Sequence, residues 1–325
     1  MKVSIVSTVL NEAKYLEEFL DSLFSQSQLP DEVVIADGGS TDKTLEILSN
    51  FSKKEPRLKI VKATGSNISV GRNAAIKVAT GNIIAVTDAG ARVSKDWLEN
   101  LVAGLSESSQ VASGFFAPTA RTTYEKSLAS VTVPVVSEIE PDKFLPSSRS
   151  VAFYKEAWEK VHGYPTWLPI CEDLVFDLKL KKAGFKFQFC PQAIAFWRPR
   201  NTVKKFFKQY FLYARGDGHA KLWWRRHLIR YLAYLNGLLI LSMVLSGSIM
   251  WLLPFFIGAA GYLAKFYNRF LGHWPEATSG ETGRVFCLIP FLVLVGDVAK
   301  MIGYPVGNYQ RLTKKIKYET FNHYS

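Results

Sequence analysis

The sequence predicts an α/β fold built on a doubly wound, mostly parallel sheet, followed by interfacial and transmembrane helices. Three observations carry this reading. Strand-like and helix-like patterns alternate through the first 115 residues, as a parallel sheet with helices on its faces requires. Two of the strand-like runs end on single acids, Asp37 and Asp88, at the edge where open α/β sheets bind ligands. Beyond residue 200 the chain turns basic and apolar together: 16 of its Lys/Arg but only 5 of its Asp/Glu lie there, and that segment accounts for nearly all of the net charge of +12.

Each element has its own signal. Val3 to Val9 is an apolar run that breaks at Asn11-Glu12, and it is read as a first strand rather than a signal peptide. Leu16, Phe19, Leu20, Leu23 and Phe24 recur at helical spacing. Glu32 to Ala36 is a second strand ending in DGGSTDKT, and Ser40 or Thr41 can cap a helix over Asp42 to Ser52. Leu58 to Val61 is a third strand, Asn73 to Ala79 a helix, and Asn82 to Thr87 a fourth strand. Asp96 to Leu105 and Val111 to Phe116 complete the series as helix and strand. Residues 117–148 lose periodicity and read as an irregular excursion. Glu172 to Ala183 is a helix stopped by Gly184.

The remaining third reads as membrane-associated. Thr202 to Leu222 interleaves lysines with aromatic residues, which suits a helix lying at a bilayer interface. Leu228 to Ser246 and Ile249 to Ala264 are nearly uncharged and of spanning or near-spanning length. Arg225, Arg226 and Arg230 precede this pair, Lys265 and Arg269 follow it, and Lys314, Lys315 and Lys317 close the chain. The link Ser246-Gly247-Ser248 is uncharged, so the positive-inside rule favours a hairpin with both ends cytoplasmic. Val285 to Ile302, interrupted by Asp297 and Lys300, is then expected to be re-entrant or interfacial. The expected division is 1–200 α/β, 201–227 interfacial and 228–325 anchoring. The expected location is the membrane, with the α/β domain on its cytoplasmic side.

Composition also excludes classes. The basic residues flank apolar runs instead of lining a polar face, so the partner is a bilayer and not nucleic acid. Cys171, Cys190 and Cys287 lack metal-ligand spacing and read as free thiols in a reducing compartment. No Walker lysine motif and no GxGxxG is present, which argues against mononucleotide kinases and dinucleotide enzymes.

The ordered series VSIVSTVLNEAKYLEEFLDSL, VVIADGGSTDKT, GRNAAIKVATGNIIAVTDAGA, SVAFYKEAWEKVHGY and CEDLVFDLKLKKAGFKF resembles family 2 glycosyltransferases of the GT-A fold, over about residues 1–215. QYFLYARGDG followed by apolar helices is similar to their membrane-attached members. The resemblance implies a nucleotide-sugar donor and transfer with inversion. It places Thr8, Leu10, Asn11 and Glu12 at the nucleotide entrance, Asp37 at the base and Arg72 near the phosphates. Asp88 takes the first acidic position of the Asp-x-Asp motif, and Asp173, with Glu172 beside it, the general-base position.

Gly90 stands where that family commonly has its second aspartate, the usual metal ligand. A divalent cation, Mg²⁺ or Mn²⁺, would then rest on Asp88, the donor phosphates and water. Otherwise Arg72, Lys95 or Arg215 would neutralise the leaving diphosphate. The acceptor expected of a membrane-held catalytic domain is lipid-linked. The competing readings are a catalytically silent nucleotide-binding scaffold and a sugar-nucleotide pyrophosphorylase. The second is disfavoured by the lack of a Gly-rich N-terminal phosphate loop.

Overall fold

The computed structural model describes residues 1–314, so Lys315 and Lys317 lie outside the described residues. The chain divides into two compact units. One comprises Met1–Thr119 and Ile139–Arg198. The other comprises Ala120–Glu138 and the chain from Pro199 onward. The unit boundary therefore interrupts the 1–200 segment, because residues 120–138 join the helical unit.

The first unit opens with β1 (Val3–Val9), α1 (Leu16–Phe24), β2 (Glu32–Asp37), α2 (Thr44–Lys54), β3 (Leu58–Lys62), α3 (Ile68–Val78) and β4 (Ile83–Val86). Next come β5 (Ala91–Val93), α4 (Trp97–Ala103) and β6 (Val111–Pro118). After α5 (Thr123–Thr132), which belongs to the second unit, the first resumes with β7 (Val151–Tyr154), α6 (Lys155–Lys160), α7 (Glu172–Lys182) and β8 (Phe187–Trp197).

The eight strands form one sheet in the order β3-β2-β1-β4-β7-β6-β8-β5. From β3 to β4 it is parallel, as the alternation predicts. β7 then runs antiparallel to both β4 and β6, and β5 antiparallel to β8, so the sheet is mixed. These three strands have weak sequence signals. β5 and β7 are too short for a period to register, and β8 contains Pro191 and pairs with β6 through a register shift at Gly114/Phe115.

Both faces of the sheet are covered. Val3, Ile5 and Val9 of β1 pack on one side with Leu16, Phe19, Leu20 and Leu23 of α1, and Val6 packs on the other with Ala75 and Ile76 of α3. At the amino-terminal edge the Ser4 hydroxyl donates to Glu32 (2.6 Å) and accepts from the Gly81 N–H (2.9 Å). Burial raises the Glu32 carboxyl, but hydrogen bonds from Lys59, Ser4 and Thr80 outweigh it and hold the pKa at about 2.

The second unit is helical. It adds α8 (Val203–Ala220), α9 (Trp224–Leu245), α10 (Leu252–His273) and α11 (Ser279–Thr313) to α5. Three stretches, Trp224–Leu245, Ile249–His273 and Ser279–Thr313, are helical, long and apolar enough to cross a membrane. The apolar windows of α9 and α10 are almost wholly exposed, whereas α11 buries a substantial part of its window within the unit. α8 lies along α11 with Phe206 fully buried, so the interfacial helix expected there has a protein-facing side. Val285 to Ile302, expected to be re-entrant or interfacial, lies within one continuous helix. α11 runs unbroken through Pro290 and Pro305, and Asp297 is paired inside the unit.

Gly81 fixes how the sheet begins. A Cβ there would lie 2.5 Å from Ser4 Oγ and 2.7 Å from Ser4 N, and the backbone atom cannot rotate away. Gly81→Ala is expected to destabilise the protein by about 1–3 kcal/mol, the usual range for overpacking. Chemical denaturation of the first unit checks this, and an unchanged midpoint would show that the β1 start yields freely.

Candidate active site

The carboxyl ends of β1 and β2 lead into two loops that are laced together. Asn11, with a left-handed backbone (φ 57°), donates its N–H to Ser40 Oγ (2.9 Å), and its side-chain oxygen accepts from Thr41 N (2.8 Å). Glu12 N donates to Thr44 Oγ1 (2.9 Å). Thr8 lies on β1 beneath α3, where a Cβ on Gly71 would come within 3.3 Å of its methyl. Leu10 projects into solvent beside these loops. The four residues expected at a nucleotide entrance thus share one strand-end and loop.

Asp37 departs from expectation. It is 1% exposed instead of lying open at the strand end. One carboxylate oxygen accepts from Gly39 N (2.9 Å) and Ser40 N (3.1 Å). These bonds shape its own turn, as aspartates at such positions commonly do.

The centre of the site is Arg72, on α3. Its guanidinium donates to Asp88 Oδ1 (3.0 Å) and Glu172 Oε1 (3.1 Å), and lies over the Tyr164 ring at 4.7 Å. The residue is 1% exposed, and its guanidinium is engaged with both carboxylates. Burial opposes its charge, yet Tyr164, Asp88, Glu172 and Asp173 together keep its pKa raised.

A second guanidinium arrives through strand register. β4 and β7 are antiparallel with Val86 opposite Val151, so two residues further on Asp88 faces Arg149. The Arg149 Nε lies 3.8 Å from Asp88 Oδ2, and its head is held over the rings of Phe116 (5.5 Å) and Trp197 (5.3 Å). Sequence reasoning missed Arg149, because only the antiparallel return of β7 brings it to Asp88.

Glu172 and Asp173 open α7, and the loop before them hangs from α3. Asn67 donates to Thr166 O (2.7 Å), Ser69 to Leu168 O (3.3 Å) and Asn73 to Tyr164 O (2.8 Å). Cys171, immediately before the pair, has a left-handed backbone (φ 66°). Glu172 is buried, and burial, then the adjacent Asp173 charge, push its carboxyl up to about 7 despite Arg72. Asp173 is partly exposed, with Oδ1 accepting from Leu174 N (2.9 Å). Asp177, one turn further, was also missed. It is buried, its Oδ2 has no hydrogen-bond partner, and burial followed by the Asp173 charge raises its pKa well above the carboxylate range. Asp173 is therefore the most accessible of the three carboxyls along this helix.

One expected cation stands elsewhere in the first unit. Lys95 follows β5, and its carbonyl accepts from Ser27 N (2.8 Å), in the stretch that leads to the start of β2 at the opposite sheet edge. Arg215 belongs to α8 in the second unit. A metal held by protein side chains alone does not fit the donor set. Among the described residues no three His, Cys, Asp or Glu side chains gather for an ion, and Asp88 is flanked by two guanidinium groups. Packing does not impose Gly90, since open space surrounds its Cβ position.

Residues 4–160 match the family model described as Glycosyl transferase family 2. The chain is 26% identical over 236 residues to a dolichyl N-acetyl-α-D-glucosaminyl phosphate 3-β-D-2,3-diacetamido-2,3-dideoxy-β-D-glucuronosyltransferase of Methanococcus voltae, covering 66% of this chain and 73% of that protein. It is 29% identical over 100 residues to the glycosyltransferase GlyA of Streptococcus pneumoniae, of which it spans only 14%, with 31% of this chain aligned. Among solved structures, its fold is similar to that of the mannosyltransferase PcManGT of Pyrobaculum calidifontis (TM-score 0.55, 17% identity, 97% of this chain and 88% of the other).

Two outcomes test this geometry. Asp37→Ala removes the acceptor of its turn and should cost about 1–3 kcal/mol, the usual price of an unmade buried hydrogen bond. Unfolding in urea reads it, and unchanged stability with weakened nucleotide binding would return Asp37 to the role of a simple ligand contact. Glu172 should make stability fall as pH rises. Its folded pKa of about 7 exceeds the ordinary 4.5, so the folded state holds the extra proton between those values. Glu172→Gln should flatten the decline in melting temperature between pH 5 and pH 8, and parallel profiles for the two proteins would count against it.

Proposed function

From the premise that residues 4–160 are a family 2 glycosyltransferase domain of GT-A fold, we propose that the chain is an inverting glycosyltransferase. It moves a sugar from a nucleotide-diphosphate donor to a lipid-linked acceptor at a membrane. The observation that carries this is the joining of Asp88 to the Glu172-Asp173 pair through one buried guanidinium. It supports a donor-side acid and an acceptor-side base within one site.

The roles follow from exposure and charge. The partly exposed Asp173 accepts the proton of the acceptor hydroxyl as its oxygen attacks the anomeric carbon. The bond from that carbon to the diphosphate breaks, and the nucleoside diphosphate leaves with the electron pair. Arg149, beside Asp88, meets the charge of the leaving group. Glu172 and Arg72 are positioning residues that set α7 against the Asp88 turn. Leu10, Asn11 and Glu12 border the nucleotide, and Thr8 supports them from below.

The α9–α10 hairpin inserts in the bilayer, and Arg225, Arg226, Arg230, Lys265 and Arg269 keep its base cytoplasmic. The catalytic unit then works on that side. The lipid-linked acceptor is supported by the name of the Methanococcus voltae relative, aligned over 73% of its length. The single carboxylate at Asp88 favours one other reading, a silent nucleotide-binding scaffold.

Transfer assays with UDP-, GDP- and dTDP-sugars on polyprenyl-phosphate-linked acceptors separate the two. One donor should be turned over by the wild-type protein. Asp173→Asn should keep donor binding and lose roughly 10²–10⁴-fold in rate, the usual worth of a general base. Asp88→Asn should lose donor affinity as well. Donor binding without transfer in the wild-type protein would establish the scaffold, and full activity of Asp173→Asn would remove Asp173 as the base.

A further inference from the structure

No charged residue occurs between Arg230 and Lys265, so the helices α9 and α10 carry their charges only at one shared end. At that end an ionic cluster forms around Asp297 of α11, which is buried. Arg230 Nε donates to Asp297 Oδ1 at 2.9 Å, and Lys300 Nζ lies 3.3 Å from the same oxygen. Tyr234 of α9 donates to Asp297 Oδ2 at 3.2 Å, and Tyr262 of α10 donates to that oxygen too. Three helices thus converge on one carboxylate.

The cations outnumber the acids there. Lys265 stands over the rings of Tyr262 and Phe266, within electrostatic reach of Asp297 and Arg230. Arg269 is close by, but it is matched by a bidentate bond to Glu138. Four cations, Arg230, Lys265, Arg269 and Lys300, thus face two carboxylates, Asp297 and Glu138, a surplus of two positive charges beside bare apolar helix. A structural ion pair would balance, since uncompensated charge at the edge of hydrocarbon is costly. Arg225 and Arg226, with Trp223 and Trp224, mark this end as the headgroup level, where basic pockets between helices take lipid phosphates.

We propose that Arg230, Lys265 and Lys300, gathered on Asp297, bind the phosphate of an anionic membrane lipid. Asp297 holds the cations in place, and the exposed faces of α9 and α10 receive the acyl or polyprenyl chain. The site rests on the membrane-inserted hairpin of the proposed function, but not on sugar transfer.

Native mass spectrometry of the full-length chain, released from mild detergent, tests the site without any transfer assay. The lipids offered are phosphatidylcholine, phosphatidylglycerol and a polyprenyl phosphate, each with and without millimolar inorganic phosphate. The wild-type chain should retain one anionic lipid in preference to phosphatidylcholine. Lys265→Gln, at an exposed position, should weaken that retention about fivefold and leave the melting temperature unchanged. Asp297→Asn, if it folds, should strengthen retention, an effect of opposite sign. Preference for polyprenyl phosphate over phosphatidylglycerol would support the site as one for a lipid carrier, and equal retention of the two would support it as one for bulk anionic lipid. Equal retention of phosphatidylcholine, displacement by inorganic phosphate, or wild-type behaviour of Lys265→Gln would overturn the proposal. Lipid retention in a chain that transfers no sugar would leave this site standing while the proposed activity fell.

Discussion

Arg72 is almost completely buried and still carries a charge, and the geometry of the site depends on how that charge is met. One end of its guanidinium holds Asp88, just past β4, and the other holds Glu172, at the start of α7. The same helix suspends the 164–168 loop through Asn67, Ser69 and Asn73. Removing one partner of a buried ion pair typically costs about 3–5 kcal/mol, because the other is left uncompensated. A neutral residue in place of Arg72 would leave Asp88 and Glu172 with one cation fewer, and α7 would lose its tie to the strand end.

The protonation of the acids follows from this. Asp88, Glu172, Asp173 and Asp177 would make a strongly negative site if all were ionised. Burial raises Glu172 and Asp177, while Asp88 and Asp173 are the two more accessible carboxylates. Against them stand Arg72 and Arg149. Two guanidinium groups flank Asp88, and open space surrounds the Gly90 Cβ position beside it.

Much of this was legible in the sequence, and the rest was hidden for definable reasons. The parallel half of the sheet was visible because its strands are apolar runs separated by amphipathic helices. Asp37, Asp88 and the Glu172-Asp173 pair stood out because acids at strand ends and helix starts have few bland explanations together. α3 begins at Ile68, earlier than the expected Asn73, because the capping side chain of Asn67 was not recognised. α5 and α11 start at Thr-x-x-Glu sequences, Thr122 with Glu125 and Thr278 with Glu281, a signal that was present but unread. Arg149 had no local signal, since its place beside Asp88 is a product of antiparallel register. Asp37 shows the converse: its position was correctly anticipated, but sequence could not reveal how deeply its carboxylate is buried.

The chain passes between its two units three times, after Thr119, after Glu138 and after Arg198. The helical part is therefore not a tail added to a finished enzyme. α5 lies in the middle of the catalytic sequence, yet Leu128 and Ala129 are buried with α8, α10 and α11. Cutting the gene near residue 200 would strand this apolar segment without its partners, and grafting a foreign anchor there would not replace them. An insertion of this kind interlocks the two parts along the chain: neither is a contiguous module that a single cut could exchange.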